Sequence, residues 1–80
     1  MLWAIYTEED AGFDGDKEQV KKAGLKLGEK YEVRYIDMGN WHTDVYLKGF
    51  DEPFNSVFFD FKYKGRFVDI YEKNDYERYL

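Results

Sequence analysis

The sequence predicts a mainly β fold, a small five-stranded, partly open antiparallel barrel with one short helix between strands 1 and 2. Three observations carry that expectation. Apolar and polar residues alternate with period two in several short runs, as half-buried strands require. Gly39-Asn40 and Lys64-Gly65 fall between such runs as two-residue hairpin signals. Helix punctuation before the long alternating runs is confined to Asp16 to Gly24, inside an excursion of about twenty residues that follows the first run. A five-stranded sheet rolled around that helix is the competing arrangement. With 80 residues and no internal repeat or linker, the chain is expected to form a single domain.

The first strand spans residues 2–7, where Leu2 to Tyr6 is apolar and β-prone and the charges Glu8, Glu9 and Asp10 end it. Residues 10–16 have loop chemistry. Asp16 is the expected N-cap, Gln19 its capping-box partner and Gly24 the C-cap, with Val20 and Ala23 facing inward. From Tyr31 the alternation Tyr31, Val33, Tyr35 gives way to Ile36 and Met38 as the buried set. Such a parity change inside one strand is what a β-bulge produces. Beyond Gly39-Asn40, Trp41, Thr43, Val45 and Leu47 share one face, while His42, Asp44, Tyr46 and Lys48 share the other. Residues 49–53 break the strand. Val57, Phe59 and Phe61 then alternate with Phe58, Asp60 and Lys62 in a fourth strand, and Phe67 to Tyr71 makes the fifth, with Val68 and Ile70 inward. From Asn74 the tail has the punctuation of one further helical turn carrying Tyr76, Tyr79 and Leu80.

Composition narrows the function. There is no cysteine, hence no disulfide framework, thiolate metal site or thiol nucleophile, as suits a reducing cytoplasm. The longest uncharged apolar run, Leu2 to Tyr6, is far below the roughly 20 residues of a membrane helix, so no membrane association is expected. Seventeen aromatics (two Trp, eight Tyr, seven Phe) exceed what so small a core can bury. Phe59, Phe61 and Tyr31 are assigned inward, and the surplus Tyr and Trp are expected at the surface.

The catalytic inventory is thin: one His and one Ser (Ser56), with Thr7 and Thr43. His42 and Thr43 point to opposite faces of a strand, so they form no dyad. Glu8, Glu9, Asp10, Asp14, Asp16 and Glu18 concentrate acids in one loop, but the spacing is not that of a calcium loop, and a solvated acidic loop is expected. No cofactor is implied. The formal charge of −5 divides unevenly: Lys17 to Arg34 holds six of the twelve basic residues against three acids, leaving a strongly acidic remainder. That remainder repels a phosphate backbone and argues against direct nucleic-acid binding.

The residues Ala4-Ile5-Tyr6, Leu25-Lys-Leu27-Gly28-Glu-Lys-Tyr31-Glu-Val33 and the polar-aromatic stretch Met38 to Tyr46 resemble, in order, the start of a Src-homology-3-like barrel. The same opening is similar to small proteins encoded by phages and prophages of Firmicutes. The resemblance covers about the first half of the chain and implies a barrel and a phage or mobile-element origin. Tandem Trp and a Pro-Ser-Asn-Tyr stretch are missing and a helix interrupts the acidic loop, so recognition of proline-rich peptides does not follow from it.

What remains is a constellation around Gly39-Asn40: Arg34, Tyr35, Trp41, His42, Asp44 and Tyr46. Tyr, Trp and Arg dominate interface hot spots because they combine rigid contact area with a polar handle. The expected function is a non-enzymatic module that binds a protein partner through these residues, for instance to inhibit a host or defence protein. Trp41 has two readings: edge of this stripe, or cap of the core by its parity with Val45 and Leu47. A nucleotide sponge with Arg34, Lys30 or Lys48 holding phosphate, and an assembly subunit dimerising through sheet edges, are the other readings.

Overall fold

A computed structural model describes residues 1–39 and 41–71, and the expected helical turn after Asn74 lies outside them. The chain runs β1 (Leu2–Tyr6), α1 (Asp14–Ala23), β2 (Lys30–Met38), β3 (Thr43–Leu47), β4 (Phe54–Asn55), a 3-10 turn (Ser56–Phe58), β5 (Phe59–Tyr63) and β6 (Arg66–Val68). The strands form one antiparallel sheet in the order β4-β3-β2-β1-β5-β6. This sheet is open, with β4 and β6 at its ends, and it has six strands where the sequence predicts five. The additional strand, Phe54–Asn55, pairs with Asp44 and Val45 of β3 and is too short to leave a periodic signal.

The bulge expected in the second strand is present. Val33 faces Leu47 and Tyr35 faces Tyr46, so Arg34 is an extra residue on β2. It lets both Val33 and Ile36 point into the core. The Lys64-Gly65 hairpin forms as expected, with φ of 52° and 78° and Tyr63 paired to Arg66. Positive φ at both central residues matches the right-handed twist of the strands. β6 ends at Val68, short of the expected Tyr71, because the Asp69 side chain accepts a hydrogen bond from the Tyr71 backbone N–H (2.9 Å) and turns the chain. Ile70 is nonetheless fully buried.

Helix α1 is capped three residues earlier than expected. Phe13 is the N-cap residue, and Asp16, in the first turn, accepts from the Phe13 backbone N–H (3.0 Å). Gly24 ends the helix in the left-handed conformation (φ 79°), a C-cap as expected. Val20 is buried, but Ala23 is exposed and Leu25 takes the inward position instead. The left-handed glycine redirects the chain after the cap, so the residue that returns to the core lies beyond the helix.

One face of the sheet carries the core: Leu2, Ala4 and Tyr6 on β1, Val33 and Ile36 on β2, Val45 and Leu47 on β3, Phe54 on β4, Phe59 and Phe61 on β5. Val20, Leu25, Phe58 and Ile70 close over them. Tyr6, Phe58, Phe59 and Phe61 form a chain of tilted and edge-to-face ring contacts, with centroids 6.1–6.4 Å apart. The strand alternation that places Val57 with Phe59 and Phe61 fails at its first residue. The 3-10 turn buries Phe58 and exposes Val57, because three residues per turn break the period of two. Among the described residues, no helix is long and apolar enough to cross a membrane.

Candidate functional site

The six residues singled out in the sequence do not form one cluster. β2 and β3 pair Met38 with Thr43, so the connection is the four residues 39–42 rather than a two-residue Gly-Asn turn. It is closed by the Gly39 N–H donating to the His42 carbonyl (3.1 Å). Gly39 is not needed for a positive φ; a Cβ there would lie 2.6 Å from the His42 carbonyl oxygen, so the close approach of two backbones requires glycine.

Trp41 therefore sits in the connection and not in β3. Its parity with Val45 and Leu47 has no meaning there, and it is 97% exposed, which removes the reading of Trp41 as a core cap. Thr43, Val45 and Leu47, which are in the strand, are buried as expected. Opposite the connection, the turn before α1 leaves Phe13 81% exposed. Between them lies a groove of about 640 Å³. Its floor comes from Met38 and Thr43 of the hairpin and from Asn55 and Ser56, and Val57 and Tyr71 extend its apolar side.

The groove's base is held by hydrogen bonds. The Thr43 hydroxyl donates to the Met38 sulfur (3.0 Å), the Asn55 carboxamide oxygen accepts from the Val57 N–H (3.2 Å), and the Ser56 and Tyr71 hydroxyls bond each other. Asn55 also donates to the Asp16 carboxylate (3.2 Å), tying the start of α1 to the end of β4. Asn55 thus caps the 3-10 turn and also lines the groove. Four large apolar side chains at its margin, Phe13, Trp41, Val57 and Tyr71, are between 45% and 97% exposed. Isolated exposed apolar residues are ordinary, but several converging on one concavity are characteristic of recognition surfaces.

Of the remaining predicted residues, Arg34, Tyr35, Asp44 and Tyr46 lie on β2 and β3 facing away from the core, and His42 lies in the connection. Tyr35 and Tyr46 face each other across β2 and β3 with ring centroids 5.8 Å apart. His42 and Asp44 pair at 3.2 Å, so they do share a face, and Asp37 lies opposite Asp44 in the register. The pair is substantially solvated, with the His42 side chain 58% and the Asp44 side chain 32% exposed, so it contributes little. Arg34, forced outward by the bulge, donates to the Phe50 carbonyl (3.3 Å) and so helps hold the loop after β3. Gly39, Trp41 and His42 link this face to the groove, since all three also border a smaller hollow of about 240 Å³ with Asp37 and Asp44.

The sequence reading missed Phe13, Val57 and Tyr71. Phe13 lies in a loop with no periodicity to assign its exposure, Val57 is displaced by the 3-10 turn, and Tyr71 is placed by the turn at Asp69. Among the described residues, no lysine or arginine lines the groove. The cations suggested for holding phosphate are engaged elsewhere: Lys48 pairs with Glu32 (3.4 Å), Lys30 lies over the Trp3 ring (4.6 Å), and Arg34 bonds Phe50. Among the described residues, no group of three or more His, Asp or Glu is placed to hold a metal ion.

A family model described as bacteriophage T4 protein Y07B matches residues 1–80 of the chain. No curated protein and no solved structure matches it.

Proposed function

The chain belongs to the bacteriophage T4 protein Y07B family, and on that premise we propose that it is a non-enzymatic binding module that occupies the surface of a host protein. Its place of action in this reading is the cytoplasm of the infected cell, and its effect is inhibition of the protein it covers. One observation carries the reading: Trp41 and Phe13, 97% and 81% exposed, flank a single groove with an apolar margin and a hydrogen-bonded floor. Exposing two such rings costs solubility unless a partner covers them, and a rigid aromatic in a central pocket is the usual hot-spot arrangement. The Src-homology-3-like likeness and the Firmicutes phage likeness remain part of this proposal, supported by the opening motifs.

The nucleotide-sponge reading has less support, because no basic residue among the described residues lines the groove to hold a phosphate. The test uses a tagged full chain and its Trp41→Ala and Phe13→Ala variants, incubated with host lysate and analysed by quantitative mass spectrometry. The expected result is a host protein retained by the wild type and reduced at least tenfold with either variant, followed by direct binding of the purified pair. Recovery of the same proteins by all three chains would overturn the assignment of the groove.

A further inference from the structure

One face of the sheet carries the core, with α1 packed over it through Val20. The residues that alternate with the core positions point to the other face, and strand pairing sets them in two rows. In the first row Glu32, Trp3, Lys62 and Phe67 lie side by side on β2, β1, β5 and β6. Lys48, whose backbone N–H donates to the Glu32 carbonyl (2.9 Å), continues this row past β2. In the second row Lys30, Ile5 and Asp60 lie side by side on β2, β1 and β5. Phe67 is 66% exposed, and Trp3 and Ile5 are only half-buried.

Three lysines and two carboxylates in these rows keep them free of the negative charge that the whole chain carries (−5). Within one chain their charges are loosely matched. Lys48 pairs with Glu32 (3.4 Å), Lys30 and Lys62 rest over the Trp3 and Phe67 rings (4.6 and 4.8 Å), and Asp60 has no ion pair among the described residues. The placement is antisymmetric about β1. Glu32 and Lys30 stand on its β2 side, while Lys62 and Asp60 stand at the same two heights on its β5 side. Each charge therefore mirrors its opposite across a strand whose own outward residues, Trp3 and Ile5, are apolar.

We propose that two copies of this chain pack through this face about a two-fold axis running along β1. Such an axis exchanges the β2 and β5 sides of two facing sheets. It sets Glu32 against Lys62 of the second copy, Lys30 against its Asp60, and Trp3 and Ile5 against their own counterparts. Farther out, Lys48 faces the Phe67 ring of the second copy. Neighbouring strands are about 4.8 Å apart and packed sheets about 10 Å, so the charged heads meet midway. Aligned sheets cross at about 30°, which displaces a side chain one strand from the axis by only about 2–3 Å. The alternative two-fold, across the strands through Trp3, sets Glu32 on Glu32 and Lys62 on Lys62 and is repulsive. The dimer uses neither the sheet edges nor any residue lining the Trp41 groove.

Sedimentation equilibrium of the full chain tests this. The wild type should pass from one chain mass, 9.7 kDa, toward twice that mass as its concentration rises from about 10 μM to about 1 mM, the range of weak interfaces. Glu32→Lys and Lys62→Glu, each alone, bring like charges together twice per dimer and should weaken association at least tenfold. Mixed in equal amounts, the two variants should associate as the wild type does, because each substitution then meets its opposite. Asp60→Lys and Lys30→Glu, alone and mixed, repeat the test if loss of the Lys48 pair disturbs the folding of Glu32→Lys, and circular dichroism melting checks all four. A monomer throughout the range, a dimer indifferent to the single variants, as edge pairing would give, or mixtures that stay monomeric would overturn the proposal. So would a host protein that the wild type retains and Glu32→Lys loses while the chain itself stays monomeric. Trp41→Ala should dimerise like the wild type, so failure here is separable from failure of the proposed function.

Discussion

Replacing Gly39 by alanine separates two explanations for that glycine, conformational freedom and lack of space. Gly39 is absent from the positive-φ residues, so backbone strain predicts no penalty. The steric account predicts a clear one: the new Cβ would stand 2.6 Å from the His42 carbonyl oxygen, where comfortable contacts are about 3.5–4.0 Å. Because the obstacle is backbone, the hairpin end must open and the Gly39 N–H to His42 carbonyl bond (3.1 Å) is lost or lengthened. A hydrogen bond contributes about 0.5–1.5 kcal/mol net, and the forced displacement adds a similar amount, giving about 1–3 kcal/mol in total. At about 4–8 °C per kcal/mol for a domain this size, the melting midpoint should fall by roughly 4–24 °C. The matched control is Gly15→Ala inside α1, where a Cβ meets nothing within 4 Å. That change should stabilise by about 0.5–1 kcal/mol through helix propensity. Urea unfolding followed by circular dichroism measures both. Gly39→Ala unfolding at the wild-type midpoint would refute the steric argument.

Other expectations follow from burial and charge. Phe58→Ala should cost about 3–5 kcal/mol, since the ring is fully buried among Tyr6 and Phe59, whereas Val57→Ala beside it should stay within about 0.5 kcal/mol; chemical denaturation compares them. Trp41→Ala should likewise leave stability unchanged within about 0.5 kcal/mol, because its side chain is 97% exposed, and lose partner binding alone. Tyr71→Phe should destabilise by about 1 kcal/mol through the Ser56 hydroxyl, with no further loss in the Ser56→Ala, Tyr71→Phe pair, a non-additivity that a double-mutant cycle detects. The Tyr6 phenol has its pKa raised by burial, then by Glu9 and Asp10, so the native state holds this proton more tightly than the unfolded chain. Its contribution to stability is full below pH 10 and is lost as pH rises through the raised value; in Tyr6→Phe the alkaline decline measured by urea midpoints should be shallower.

Local signals in the chain identified the mainly β class, the inward residues of β3 and β5, a bulge within the second strand, the Lys64-Gly65 hairpin and the Gly24 helix end. These are local properties: side-chain alternation, turn φ values and cap chemistry act over a few residues and are written in adjacent positions. Trp41 was identifiable as an aromatic just after the Gly39-Asn40 signal, but not whether it faced in or out. That depended on a register, Met38 opposite Thr43, which is set by how β2 packs around its bulge. Phe13, Val57 and Tyr71 reach the same groove from three separate segments. A site assembled from such distant pieces has no spacing in the chain to reveal it. The residue types at each surface are a matter of sequence, while their convergence arises from packing the helix and the 3-10 turn onto one face of the sheet, the step that buries the core.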